Sequence, residues 1–209
     1  MKSKKNLLEQ LKSLPYFSKE SLYQLGKQLG LADASVDTYI SRFLKYKEII
    51  KLKKGLYVSA DFFDKNRGNI SYSFYLANIL RTPSYVSSWS ALQYYNLTTE
   101  AIYGISSVTL KVTRNYTTKA GHFSYQSIKD KLFSDFSLVR ADGGKFDFFI
   151  ASPAKALFDL LYFKTHQLRG VSEKDIETLI DELRIDIDEM DKKERTKFYT
   201  MIKEYINHE

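Results

Sequence analysis

The sequence predicts an α+β protein with two domains. Three patterns lead to this prediction: helical spacing of apolar residues over most of the first 60 residues, a short basic hairpin after them, and mixed strand and helix patterns beyond. A chain of 209 residues is long enough for two small cores. The first domain is expected over residues 1–62 and the second over residues 70–209, joined by the polar stretch between them.

Composition excludes several classes of protein. Apolar residues make up 44% of the chain and charged residues 27%, which is typical of a globular protein rather than a disordered one. The chain has no cysteine, so disulfides and thiolate metal sites are excluded. With no secretory signal and no apolar stretch long enough to span a bilayer, we expect a cytoplasmic protein without a membrane partner.

Three helices are expected in the first domain. The first should end at Pro15, because proline cannot continue a helix. The second should begin with Ser18 as its N-cap and close at Gly30. The third should begin near Asp33 or Ser35. The apolar positions expected to face inward are Leu7, Leu8, Leu11 and Leu14, then Leu22, Leu25 and Leu29, and then Val36, Ile40, Phe43 and Leu44.

A hairpin pattern follows the third helix. In IIKLKKGLYV, at positions 49–58, apolar and basic residues alternate as far as Gly55, and an apolar-aromatic run follows it. Gly55 stands where a tight turn needs a positive φ. Alternation predicts that one face of each strand is buried, with the other face in solvent. The residues expected to face inward are Ile50, Leu52, Leu56 and Val58, and those expected to face outward are Lys51, Lys53, Lys54, Tyr57 and Ser59.

Three helices followed by a hairpin is the element order of a winged helix-turn-helix, which typically inserts its third helix into the major groove of DNA. Residues 1–60 carry 12 basic and 5 acidic side chains, a net charge of +7, and this balance favours a polyanionic partner. A helical bundle that contacts protein instead is the alternative. The residues predicted to contact DNA are Ser35, Thr38, Ser41, Arg42 and Lys45 on the third helix, and Lys51, Lys53 and Lys54 on the hairpin.

The second domain is expected to contain a small, mainly antiparallel sheet and C-terminal helices. Strand alternation occurs over residues 108–113 and 146–150, with shorter strands expected near 122–127 and 136–140. Helical spacing recurs after Pro153 and again in the last 40 residues. A candidate second basic patch, for which scattered solubilising charges are the alternative, consists of Lys111, Arg114, Lys119, Arg140 and Lys145.

Residue patterns give no catalytic constellation. His122, His166 and His208 lie far apart in sequence, without the spacing of metal ligands. The chain contains no nucleophile elbow and no phosphate-binding glycine loop. We therefore expect a protein that is not an enzyme and that needs neither a metal nor a cofactor.

The second domain carries a set of short motifs: Tyr85-Val86-Ser87, Ser90-Ala91-Leu92, Leu97-Thr98, Ser152-Pro153, Lys155-Ala156-Leu157 and Asp159. These motifs resemble those of the AbiEi family of abortive-infection antitoxins. The domain order, with a winged helix first, is also similar to that of the family. Asn96 and Ala154 depart from the family pattern, which usually has glycine and glutamate there.

The resemblance implies an antitoxin of a type IV toxin-antitoxin system, which acts in phage resistance. Such a protein would bind inverted repeats in promoter double-stranded DNA and repress its own operon. Its C-terminal domain would counteract a nucleotidyltransferase-like toxin without forming a stable complex. The motif residues themselves are interpreted as structural, with Lys155 and Asp159 forming a surface ion pair at i,i+4 spacing.

Two other functions are compatible with the sequence. One is a ligand-responsive winged-helix transcription regulator with no toxin partner, in which the tyrosine- and phenylalanine-rich interior of the second domain forms a pocket. The other is a module that binds a toxin directly and contacts DNA only incidentally. Co-purification of a toxin would favour the second of these, and small-molecule-dependent DNA affinity would favour the first.

Overall fold

The computed structural model describes residues 2–101 and 103–207 of the chain. It is an α+β structure with a small antiparallel sheet and a larger mixed sheet. The chain divides into two compact units. The first unit comprises the chain up to Tyr72 together with Tyr116–His122, and the second comprises Ser73–Asn115 and the chain from Phe123 onward.

The first unit contains helices on a three-stranded sheet. The strands pair antiparallel in the order β1-β3-β2, so β3 is central. The sequence did not indicate β1, because two residues show no alternation. The elements are α1 (Lys2–Leu11), β1 (Phe17–Ser18), α2 (Lys19–Gln28), α3 (Asp33–Lys45), β2 (Ile49–Lys53), β3 (Leu56–Ser59) and α4 (Ala60–Asn66).

Local signals fix the ends of α2 and the start of α3. The Ser18 side chain caps α2 by accepting a hydrogen bond from the Ser21 N–H at 3.0 Å, as predicted. Gly30 ends the helix with a φ of +70°, a conformation that costs glycine little. The third helix begins at Asp33, one of the two predicted starts.

The core of the first unit contains most of the predicted inward residues. Leu14 is an exception, because α1 ends at Leu11 and leaves Leu14 exposed. Leu8, Leu25, Leu29 and Leu44 pack against the core but are only partly buried. The buried residues are Leu7, Leu11, Phe17, Leu22, Val36, Ile40, Phe43, Ile49 and Tyr57.

The larger sheet has six strands in the order β6-β7-β5-β4-β9-β8. It is larger than the expected sheet and it is mixed, because β4 pairs parallel with β9 and β5 pairs parallel with β7. The β4–β5 and β8–β9 pairs are antiparallel. Its strands are β4 (Ser84–Val86), β5 (Ile105–Thr109), β6 (Arg114–Thr118), β7 (Gly121–Ser127), β8 (Phe136–Val139) and β9 (Phe148–Ala151).

Helices α5 (Ile70–Leu80), α6 (Ser88–Tyr94), α7 (Pro153–Lys164), α8 (Glu173–Glu182) and α9 (Lys192–Asn207) complete the fold. Ser152 caps α7, and Pro153 lies in its first turn as predicted. Helix α7 is buried along most of its length, since it packs against both α6 and α9. No helix in the described part of the chain is long and apolar enough to cross a bilayer.

Candidate functional site

One face of α3 carries all five helix residues predicted to contact DNA. Ser35, Thr38, Ser41, Arg42 and Lys45 are exposed. They share that face because they recur at intervals of three or four residues. The opposite face packs into the core through Val36, Ile40 and Phe43. The helix therefore exposes a polar face to solvent while its apolar face stays packed in the core.

Two hydroxyl groups on this face are held against the helix backbone. Thr38 Oγ1 donates to the Ala34 carbonyl and Ser41 Oγ donates to the Asp37 carbonyl, each at 3.0 Å. These bonds keep both side chains short and close to the helix. The surface is therefore nearly flat at Thr38 and Ser41. Arg42 is the longest hydrogen-bond donor on this face of α3.

Asp37 is an acidic residue in the middle of α3 that is already neutralised. Its carboxylate accepts hydrogen bonds from Lys19 Nζ and Tyr23 Oη, both at 2.9 Å. Hydrogen bonds from Lys19 and then Tyr23 lower the pKa of this carboxyl, so it stays ionised and paired. The pairing reduces the repulsion that a free carboxylate would exert on phosphate groups.

The β2–β3 hairpin places basic side chains at its tip. Lys51 and Lys54 are exposed, whereas Lys53 is half-buried. The turn residue Gly55 has a φ of +75°, as the sequence predicts. Ile49 and Ile50 are both buried and the register shifts between Lys51 and Lys53, so the predicted alternation holds in β2 only from Ile50 to Leu52.

Tyr57 and Ser59 are buried, contrary to the prediction that they face outward. Tyr57 is buried because it lies in the core beside Phe17, its partner across the β1–β3 pair, and Ser59 is buried where its Oγ caps α4 by accepting from the Phe62 N–H. The Phe17 ring stacks on Tyr57 with centroids 6.2 Å apart, and the Lys19 N–H donates to the Gly55 carbonyl at 2.8 Å. The hairpin tip is thereby fixed to the start of α2.

The basic groups on this surface carry unneutralised charge. Within the described ranges, Arg42, Lys45, Lys51 and Lys54 form no salt bridge. The sequence interpretation missed two neighbours, the exposed Lys47 and the 63% exposed Tyr46, which directly follow α3. Nothing in the sequence singled out these two residues, because polar residues are common at the end of a helix whether or not that end binds a ligand.

The candidate second basic patch is not gathered at one place. Arg114 begins β6 at one edge of the larger sheet, and Lys111 precedes it. Arg140 follows β8 at the other edge, and Lys145 lies between β8 and β9. Five strand spacings separate the two edges, a distance of about 24 Å. Lys119 lies in the turn between β6 and β7, in the segment that groups with the first unit.

The motif residues of the second unit meet in a buried polar cluster. Lys155 Nζ lies 2.5 Å from Asp159 Oδ1, and both side chains are almost completely buried. The other carboxylate oxygen of Asp159 accepts hydrogen bonds from Ser87 Oγ at 2.7 Å and Tyr85 Oη at 3.1 Å. The predicted ion pair is present, but its placement on the surface is wrong.

The burial of this pair could have been predicted from the residues around it, although not from the i,i+4 spacing alone. The run around Lys155 and Asp159 is apolar on every side, AKALFDLLYF, which indicates a helix buried all round. Burial raises the pKa of the Asp159 carboxyl, while the Lys155 ammonium and the Ser87 and Tyr85 hydroxyls oppose that rise. The Asp159 carboxylate has no exposed surface, and its contacts join α7 to Tyr85 of β4 and to Ser87 at the start of α6.

Metal-ligating side chains do not converge in the described ranges. No group of three or more histidine, aspartate or glutamate residues there has the geometry of a metal site. His208 lies outside the described residues. His122 interacts locally, with its Nδ1 3.2 Å from Thr117 Oγ1 across the β6–β7 hairpin.

Comparisons with known proteins give no assignment for the chain. No protein-family model matches the sequence, and a search of curated proteins finds no significant match. Function is therefore inferred from the geometry and charge of the described residues and from the motif resemblance.

Proposed function

We propose that this protein is a DNA-binding transcription regulator whose first unit is a winged helix-turn-helix. In this proposal α3 enters the major groove with its Ser35–Lys45 face, and the β2–β3 hairpin is the wing. The wing would lay Lys51, Lys53 and Lys54 along the adjacent phosphate backbone. Such phosphate contacts position a protein, while the α3 side chains read base edges.

One observation carries this proposal. An exposed helix face and an exposed hairpin tip lie in the same compact unit, and the basic side chains Arg42, Lys45, Lys51 and Lys54 have no acidic partner among the described residues. Cations gathered on one surface without acidic partners give that surface a positive potential, which favours a polyanionic partner. The neutralisation of Asp37 by Lys19 adds to the same argument.

The test is a fluorescence anisotropy titration of the full chain. A labelled duplex from the region upstream of the protein's own gene is compared with a shuffled duplex of the same composition, at several salt concentrations. We expect tighter binding to the upstream duplex and a log–log salt slope of about −0.9 for each phosphate contacted. Equal affinity for both duplexes would leave only nonspecific binding, and no binding at low salt would refute the proposal.

We further propose that the regulator is the antitoxin of a type IV system, acting on its own operon and against a nucleotidyltransferase-like toxin. The resemblance of its second-domain motifs to AbiEi proteins supports this. So does the position of those motifs, because Tyr85, Ser87, Lys155 and Asp159 form one connected cluster rather than four unrelated matches.

Growth assays test the antitoxin proposal. The gene adjacent to the gene for this protein is induced alone and together with it, and the proposal requires that it encode a nucleotidyltransferase-like protein. Rescue of growth without co-purification of the two proteins is expected. Rescue with stable co-purification would favour direct toxin binding, and no rescue would favour a regulator without a toxin partner.

A ligand-responsive regulator is the second candidate, since the second unit contains a cavity with aromatic side chains in its wall. It differs from the antitoxin in a measurable way. Its affinity for the upstream duplex would change when a small molecule occupies the cavity, and its gene would need no toxin neighbour.

A further inference from the structure

A cavity of about 430 Å³ lies in the second unit, between the start of α6, the segment that follows α6, and the end of α8. This volume is within the range of small-molecule sites, roughly 300–1,000 Å³. None of its described lining residues belongs to the proposed DNA-binding surface. They are Trp89, Glu100, Ala101, Tyr103, Glu182 and Leu183.

Two of the chain segments that form the wall are paired beside the cavity. Thr98 and Ile185 form an isolated antiparallel bridge, and both residues are buried. The Glu100 N–H donates to Thr98 Oγ1 at 3.2 Å, so Glu100 is tied to one side of the bridge. Glu182 lies three residues before the other side of it. The fold therefore fixes the segments that carry the two carboxylates next to each other.

The wall of this cavity is negatively charged. Glu100 and Glu182 both line it, and no lysine, arginine or histidine is among its described lining residues. Glu182 is exposed and forms no salt bridge within the described ranges. A positively charged guest would therefore be attracted by two carboxylates, whereas an anion would be repelled.

One cation of the chain already contacts the edge of the cavity. Arg184 Nη1 lies 3.5 Å from Glu100 Oε1, and the Arg184 side chain is 80% exposed. An exposed ion pair at this distance contributes little to stability. Glu100 thus accepts a guanidinium, and a guest that makes a closer contact can displace that of Arg184.

The sequence around the end of α8 strengthens the negative potential. Residues 172–191 contain nine acidic and two basic residues, a net charge of −7 in a chain whose total is +7. Asp181 and Glu182 lie in the last turn of α8, which has no basic residue. The C-terminal end of a helix already carries partial negative charge, so this placement disfavours the helix itself and favours a cation bound at its end.

Two aromatic side chains of the wall are available to a planar guest. Trp89, the single tryptophan of the sequence, is half-buried, and Tyr103 is 90% exposed. Neither ring pairs with another aromatic ring or with a cation in the part of the chain that the structure describes. A guanidinium is planar and cationic, and it binds favourably to the faces of such rings.

We propose that this cavity binds a guanidinium group on a short aliphatic chain, carried either by a small metabolite or by an arginine side chain of a partner protein. The guanidinium lies between Glu100 and Glu182, and its faces pack against Trp89 and Tyr103. The aliphatic chain packs against Leu183. The proposal does not depend on DNA binding, because every described lining residue belongs to the second unit.

Binding is tested with the ¹⁵N-labelled full chain, using butylguanidinium as the probe. Butylurea is the control, since its head group is also planar but carries no charge. Trp89 gives the single indole N–H signal of the chain and reports on the cavity directly. We expect saturable shifts of this signal and of the amides around Glu100 and Glu182 with butylguanidinium, weakened by added salt, and weaker binding of butylurea.

Two results of this titration would overturn the proposal. One is the absence of a saturable shift with butylguanidinium at millimolar concentration. The other is binding of butylurea as tight as that of butylguanidinium, because the carboxylates would then contribute nothing.

Two further probes distinguish the sources of the group. Agmatine represents a free metabolite, and a tripeptide with arginine between two glycines and with both ends blocked represents a partner protein. Tighter binding of agmatine supports the metabolite, and tighter binding of the tripeptide supports the arginine side chain. Failure of both probes to bind overturns the proposal, since neither source could then deliver the group.

A pair of matched variants separates ligand contact from folding. Glu182→Gln removes a carboxylate of the wall, while Glu177→Gln removes an exposed carboxylate of the same helix outside the cavity lining. Butylguanidinium affinity should fall about two- to fivefold in the first variant and stay unchanged in the second. Equal affinities in wild type and a folded Glu182→Gln protein would overturn the proposed contact.

Arg184→Gln should change the affinity in the opposite direction. It removes the cation that contacts Glu100, so butylguanidinium should bind about twofold more tightly, a gain that a loss of folding cannot produce. Lys174→Gln removes a positive charge from α8 outside the cavity lining and should leave the affinity unchanged. A lower affinity in Arg184→Gln would overturn the proposed placement of the guest at Glu100.

Discussion

Lys155 Nζ and Asp159 Oδ1 lie 2.5 Å apart, on successive turns of α7, and neither side chain has appreciable contact with solvent. The Lys155 ammonium also lies 5.0 Å from the centre of the Phe158 ring, which adds a cation–π contact. Through Tyr85 and Ser87, the carboxylate joins this helix to β4 and to the N-cap of α6. The buried polar cluster therefore links α7 to two consecutive elements, β4 and α6, through contacts between residues that are 74 and 72 positions apart in the sequence.

Lys155→Met should therefore be strongly destabilising. It removes the cation and leaves Asp159 charged and buried, at a cost of about 3–5 kcal/mol in the free energy of unfolding. Urea denaturation followed by circular dichroism measures the change. The double variant Lys155→Met/Asp159→Asn should recover most of the loss, because the amide is uncharged and its oxygen still accepts from Ser87 and Tyr85.

The Lys197–Asp135 pair supplies the control for this prediction. Its two atoms are 2.6 Å apart, but each side chain is about one-third exposed. Lys197→Met should cost less than about 1 kcal/mol. If Lys155→Met lowered the free energy of unfolding by no more than Lys197→Met does, the buried pair would contribute no more to stability than a partly exposed pair.

Gly26→Ala should destabilise the first unit although alanine is the better helix former. A Cβ on Gly26 would lie 2.4 Å from Val36 Cγ2, so the α2–α3 contact leaves no space for it. Overpacking of this kind costs about 1–3 kcal/mol, more than the roughly 1 kcal/mol gained in helix propensity. Thermal unfolding of the variant measures the net effect.

Val36→Ala should partly rescue Gly26→Ala, since it removes the methyl group in conflict. The two substitutions should thus be non-additive in a double-mutant cycle. Gly68→Ala is the matched control, because a Cβ there would meet nothing within 4 Å. Additive losses in the cycle would show that the close approach of α2 and α3 is not what requires glycine.

Asp135 should make stability depend on pH in the acid range. Burial pushes the pKa of this carboxyl upward, but hydrogen bonds from Lys197 and Ser134 outweigh it and hold the pKa below its usual value. Because the folded pKa is the lower one, the stabilisation is complete above the unfolded pKa of about 4. It is lost as pH falls through the folded value.

Asp135→Asn tests this dependence. Asparagine tolerates the φ of +57° at this position, so the backbone should be unaffected. The wild type should be more stable than the variant by at most about 1 kcal/mol near neutral pH, with the difference vanishing well below pH 4. Asp188→Asn, at an 86% exposed carboxylate paired with Arg195, should have little effect throughout. A difference that grows on acidification would reverse the sign of the predicted linkage.

Local signals in the sequence predicted much of the first unit. Ser18 and Gly30 bound α2 through hydrogen bonds within a few residues, and Val36, Ile40 and Phe43 follow the period of a single helix. Strand β1 could not be predicted, because two residues carry no period. Its presence buries Tyr57, which alternation alone placed in solvent.

Long-range pairing explains what the sequence did not reveal in the second unit. Strands β5 and β7 pair in parallel although β6 lies between them in sequence, and nothing in their local alternation specifies that register. For the same reason, Arg114 and Arg140 looked like members of one patch but flank strands at opposite edges of the sheet. The exposure of the polar face of α3, by contrast, follows from helical spacing alone.

Lys51→Ala/Lys54→Ala should weaken DNA binding equally for all sequences. Both lysines are exposed at the hairpin and form no described ion pair, so their loss should not disturb the strands. If each contacts one phosphate, the salt slope should become shallower by about 1.8 in total. Anisotropy titrations with the upstream and shuffled duplexes measure both quantities. Lys174→Ala, at an exposed lysine on α8, is the control, and an equal change there would refute the wing assignment.

Arg42 should instead determine base preference. Its guanidinium is an exposed hydrogen-bond donor on α3, and a bidentate contact to guanine discriminates against other bases by about 1–3 kcal/mol. Arg42→Lys keeps the charge but loses the planar fork, so the salt slope should be preserved while discrimination between the upstream duplex and single-base variants of it falls. The measurement is a set of dissociation constants for those duplexes with wild type and variant. A uniform loss of affinity across all duplexes would place Arg42 on phosphate, and the sequence preference of the regulator would then have to come from Lys45 or from DNA shape.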